Sequence, residues 1–188
     1  MINHESKIIF VHMTKTAGTS IVKTLDLHPL LDAGHHANST VIKQTVGDKI
    51  WNEYFKFTMV RNPYAKMVSL YRYVSSEYLP GSTFSEFIRH WNDGGKIDRI
   101  EPRYLPWLDE KLNYIGKLED GLQNVLDLVC DKVSIPRVKV LHENRSGFAV
   151  DGKELDLHYT EYYDDEAKRI VTEKFKDELE RFNYQFED

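Results

Sequence analysis

The sequence predicts an α/β fold in which a central, mainly parallel sheet is flanked by helices. Three observations predict it. The apolar runs IIFV at 8–11 and YFKFTMV at 54–60 have the length and composition of strands buried on both faces. Each run is followed by residues of helical periodicity, so strand and helix alternate along the chain. The 188 residues, 41% of them apolar, suffice for a core held without disulfide or metal staples, so one domain over 1–188 is expected.

Taken in order, residues 7–13 read as the first strand and 19–27 as a helix with Ile21, Val22 and Leu25 on one side, ended by Pro29. Residues 30–46, which hold LLDAGHHANST, read as irregular at first. The second strand at 54–60 is broken by Asn62-Pro63, and a helix follows over about 63–79, with proline in the first turn where it is tolerated. A shorter helix over 83–92 begins at Ser82 or Thr83 and stops at Gly94-Gly95. Pro102 and Pro106 mark 96–111 as a loop. LNYIGK at 112–117 is a short strand, and 120–132 a helix with Leu122, Val125, Leu126 and Val129 on one face. The last helix starts at Asp164, Asp165 and Glu166, whose charges suit the positive end of the dipole. It then repeats Ala167, Ile170, Val171, Phe175, Leu179 and Phe182 at helical spacing.

Bulk properties exclude several function classes. The net charge of −5 argues against nucleic acid as a partner. The single cysteine, Cys130, excludes an internal disulfide and a cysteine-rich zinc site, and fits a reducing compartment. MINHESK has no apolar signal-type region, and no apolar run approaches the roughly 20 residues needed to span a bilayer. A cytoplasmic protein is expected.

In parallel α/β sheets ligands bind at the carboxyl ends of the strands. There the first strand ends in Lys15, Thr16, Ala17, Gly18, Thr19 and Ser20 and passes into a helix start. Backbone N–H groups, hydroxyls, one lysine and a glycine that admits close approach make a cradle for a phosphate-like group. An ordinary turn with Thr19 or Ser20 as N-cap fits the same residues. A nucleotide-hydrolysing P-loop fits less well, because Lys15 precedes Gly18 and no earlier glycine is present. The second strand ends in Arg61, not in a magnesium-holding aspartate. Arg61 and Ser69, about two turns into the next helix, could hold a second phosphate.

TKTAGTS at 14–20 and VRNPYAKMVSLYR at 60–72 resemble the PKTAGTS and VRNPYxRxVSxYR signatures of the carbohydrate-type PAPS-dependent sulfotransferases. HHAN at 35–38, YIGKLED at 114–120, LHENRS at 141–146 and the segment 159–184 resemble further family elements in the same order. Thr14 departs from the family, where proline usually precedes the lysine.

The resemblance implies a P-loop-like three-layer fold. It also implies a donor, 3′-phosphoadenosine 5′-phosphosulfate (PAPS), that leaves as PAP after in-line transfer to an acceptor hydroxyl, a carbohydrate by family. Lys15 to Ser20 would hold the 5′-phosphosulfate. Arg61 and Ser69, with Arg145 from the C-terminal segment, would hold the 3′-phosphate. Lys15 would neutralise charge on the leaving oxygen without a metal. The base would be His36, by match to the family's His-Ala element, with His35 as its near rival and His142 as a further alternative. Two other readings stay open at this point: a magnesium-dependent phosphotransferase using ATP, and a non-catalytic nucleotide-binding module of the same fold.

Overall fold

The computed structural model describes residues 1–30, 36–97, 101–141 and 157–187. In chain order its regular elements are β1 (Ile2–Asn3), β2 (Ile8–Val11), α1 (Gly18–Thr24), α2 (Ser39–Glu53), β3 (Phe55–Val60), α3 (Pro63–Tyr78), α4 (Phe84–Asn92), β4 (Tyr114–Lys117), α5 (Leu122–Val133), α6 (Asp165–Lys174) and α7 (Lys176–Phe182). They fall into two compact units, Met1–Arg61 with Tyr104–Asn144, and Asn62–Arg103 with Arg145–Asp188.

The first unit carries the sheet, in the order β1-β2-β3-β4. β2, β3 and β4 run parallel, and β1 is antiparallel to β2. All four residues of β2 are fully buried because the sheet is covered on both faces. Successive side chains of a strand point to opposite faces. Ile8 and Phe10, with Phe57 and Met59, therefore pack with Ile21 of α1 and Val125, Leu126, Val129 and Cys130 of α5. Ile9 and Val11 pack instead with Ile42 and Trp51 of α2. The result is the helix–sheet–helix layering the alternating pattern predicts.

Two local features of this unit differ from the sequence reading. α1 stops at Thr24, well before Pro29. Asp26 turns left-handed at φ 48°, and the Leu27 N–H reaches back to the Val22 carbonyl at 2.9 Å, so a C-terminal cap of Schellman type closes the helix. Residues 39–53 form α2, which the sequence reading did not assign. Asn38 caps it by accepting the Val41 N–H at 2.8 Å. Gly47, at φ 78° and ψ 160°, breaks its helical geometry midway and with it the apolar period.

The second unit follows the sequence more closely. Asn62 caps α3 by accepting the Tyr64 N–H at 3.0 Å, with Pro63 in the first turn. Thr83 and Glu86 form a capping box on α4. Asp164 caps α6 by accepting the Ala167 N–H at 2.7 Å. The apolar sides of α3, α4 and α6 meet in one cluster around Met67, Leu70, Phe87, Val171 and Phe175. The long C-terminal helix expected from periodicity is two helices. The chain departs from helical geometry at Phe175 (φ −108°, ψ 17°), whose ring is fully buried in that cluster.

Candidate functional site

The loop after β2 is built on an unusual backbone. Lys15 and Ala17 both take positive φ, 59° and 60°, and Thr16 between them does not. Left-handed geometry costs an ordinary residue roughly 1–2 kcal/mol. Alternation of hand along a short stretch turns neighbouring N–H groups into one concavity, the kind of backbone that receives anions.

The N-cap of α1 is Ala17, not Thr19 or Ser20, and no side chain among the described residues caps the helix. Thr16 is fully buried and donates its hydroxyl to the Met13 carbonyl at 3.0 Å, so it braces the loop from within. The Thr14 hydroxyl is also buried and has no hydrogen-bond partner among the described residues. Thr19 is exposed, Ser20 is buried and Lys15 is half-buried.

Gly18 is required by contact. A Cβ at this position would lie 1.8 Å from Nε2 and 2.0 Å from Cδ2 of His12, so the imidazole occupies the space any other residue would fill. The His12 ring stacks on Phe10, with centroids 5.5 Å apart, and meets the His36 ring at 4.3 Å and 46°. His36 Nδ1 lies 2.9 Å from the His12 carbonyl. A carbonyl oxygen only accepts, so this contact fixes the proton of neutral His36 on Nδ1 and leaves the lone pair on Nε2. The structure thus brings His36 and the Lys15–Ser20 loop together through His12, which lies within the stretch 7–13 that reads as the first strand. Its role as a spacer between glycine and histidine has no signature in spacing or composition.

Arg61 follows β3 directly. β2 and β3 are adjacent and parallel, with Val11 opposite Thr58, so the loop and Arg61 leave neighbouring strand tips. Such strands stand about 4.8 Å apart. The Thr58 hydroxyl ties them by donating to the Val11 carbonyl at 2.7 Å. The Arg61 peptide is gripped on both sides by Tyr104, whose hydroxyl accepts the Arg61 N–H at 3.0 Å and donates to the Arg61 carbonyl at 2.7 Å. Sequence reasoning missed Tyr104, which sits in a proline-flanked loop with no periodic signal. Ser69 lies on α3 in the second unit and is buried. Arg145, His35 and His142 lie outside the described residues.

A family model described as the sulfotransferase family matches residues 1–185, through both units. The chain belongs to the sulfotransferase family. It is a sulfotransferase, an enzyme of sulfuryl transfer. No curated protein and no solved structure matches it. Sulfotransferases generally draw the sulfuryl group from PAPS and release PAP. Among the described residues of this sulfotransferase, no helix is long and apolar enough to cross a membrane.

Proposed function

We propose that this sulfotransferase moves the sulfuryl group of PAPS to a carbohydrate hydroxyl, with His36 as base. The observation that carries the reading is the bond from His36 Nδ1 to the His12 carbonyl, on a histidine held beside the Lys15–Ser20 loop. It leaves Nε2 as the proton acceptor, the atom a general base needs free.

In this mechanism the backbone of residues 15–20, with the hydroxyls of Thr19 and Ser20, receives the 5′-phosphosulfate. The acceptor oxygen attacks sulfur as Nε2 takes its proton. The bond from sulfur to the bridging oxygen breaks, and PAP departs with the negative charge. Lys15 supplies the positive charge that stabilises this oxygen as the bond breaks, which accelerates the step itself. The motif resemblance at 60–72 and 141–146 supports a role for Arg61, Ser69 and Arg145 in recognising the 3′-phosphate. An arginine fork suits a phosphate, and this phosphate separates PAPS from ATP. The carbohydrate acceptor rests on the motif resemblance at 14–20 and 60–72. All the parts act as one sulfotransferase domain over 1–188, as the reach of the family match supports. Cys130, a buried free thiol, is in keeping with a reducing, cytoplasmic setting.

Calorimetry with PAP and with ADP tests the donor. PAP is expected to bind at least tenfold more tightly, and equal affinities would reject it. Transfer of labelled sulfate to a panel of sugars tests the acceptor, with His36→Ala reducing turnover by roughly 10²–10⁴-fold. Full activity of that variant would return the assignment to His35.

A further inference from the structure

We propose that Tyr104 is a positioning residue for donor recognition: its phenol sets the Arg61 backbone from which the guanidinium reaches the 3′-phosphate, an inference that rests on the donor reading above. Tyr104 is fully buried, 43 positions away from Arg61 in the chain, and its one hydroxyl engages both polar groups of the Arg61 peptide. β3 ends at Val60, the last residue in register with β4, opposite Lys117. One residue further on, the N–H and C=O of Arg61 have passed the end of that ladder. The phenol takes over, accepting from one group and donating to the other.

The arrangement does more than satisfy a strand end. Water or a turn would serve as well for two polar groups at a surface. A phenol projected from a rigid, buried ring instead fixes the direction in which the chain leaves the sheet. Arg61 is the first residue past the strand, so its Cα–Cβ vector is set by that peptide. A guanidinium binds phosphate through a planar fork, and its affinity depends on angle as well as distance. Tyr104 thus controls one anion pocket of the donor and leaves the other, at Lys15–Ser20, alone.

That selectivity makes the role separable from a merely structural one. Tyr104→Phe keeps the ring and removes both bonds. PAP and ADP affinities of wild type and variant are measured by calorimetry, or by the nucleotide-induced rise in melting temperature where the variant is too unstable for titration. Because the PAP-to-ADP ratio is taken within each protein, it does not depend on the folded fraction. The variant is expected to lose roughly tenfold in PAP affinity, ADP affinity staying within about twofold, so that the ratio falls by nearly the same factor. In an Arg61→Ala background, Tyr104→Phe is expected to have no further effect on the ratio.

An unchanged ratio, an equal loss for both nucleotides, or a full additional loss in the Arg61→Ala background would each overturn the inference. Wild-type protein that failed to prefer PAP over ADP would overturn the donor reading beneath it, a result visible before any variant is made.

Discussion

Gly18→Ala offers a sharp test of how the loop and His36 are joined. The new methyl would sit 1.8 Å from His12 Nε2 and 2.0 Å from Cδ2, against a contact distance of about 3.5–4.0 Å, so the ring must move by well over 1 Å. Its room is limited by Phe10 on one side and His36 on the other. Overpacking of this kind costs about 1–3 kcal/mol. Gly18 is the first residue of α1 and does not have a positive φ, so alanine recovers up to about 1 kcal/mol through helix propensity. The net loss of stability is then about 0–3 kcal/mol, below the roughly 5–15 kcal/mol that holds a typical domain folded.

Turnover is expected to suffer much more. Displacing His12 shifts its carbonyl and the His36 imidazole together, and the base proposed above, once held out of reach, forfeits most of a factor of roughly 10²–10⁴. The assay is steady-state sulfate transfer beside thermal denaturation of the same samples. The double variant Gly18→Ala/His12→Ala removes the colliding ring but keeps the residue 12 carbonyl, and should recover much of the turnover. The reasoning is refuted if Gly18→Ala alone keeps wild-type turnover, or if the double variant is no better than the single one.

Further outcomes follow from the same geometry. Lys15→Ala should lower turnover by roughly 10²–10³-fold and PAP affinity only moderately if, as proposed, its charge acts on the leaving oxygen; calorimetry beside rate measurement separates the two effects. Thr14→Val removes a buried hydroxyl that has no partner among the described residues and should stabilise the nucleotide-free protein by about 1 kcal/mol, raising the melting temperature by about 2–4 °C; a lower melting temperature would contradict it. Asp164→Ala should cost about 1 kcal/mol at neutral pH through loss of the α6 cap. The bond from the Ala167 N–H, helped by Ser85, holds the Asp164 carboxyl below its usual pKa, so its contribution is complete above about pH 4 and fades as pH falls through the lowered value. The gap in melting temperature between wild type and variant should therefore narrow on acidification, and a gap that widened would reverse the sign of that argument.

The sequence by itself determined the parts of this protein that depend on neighbours along the chain. The strands at 8–11 and 55–60, the capped starts of α3, α4 and α6, and the two loops with Lys15 and Arg61 at strand ends were legible because apolar period, caps and proline act over a few residues. α2 was not, since the non-helical Gly47 interrupts its period, and the break at Phe175 was not, since it falls where an aromatic ring is drawn into a core assembled from distant helices. Only the tertiary structure decided that His12 fills the space above Gly18 and hands its carbonyl to His36, and that Tyr104 holds the Arg61 peptide. Those contacts join residues 6 to 43 positions apart, where no local propensity carries the information and close packing alone selects the partner.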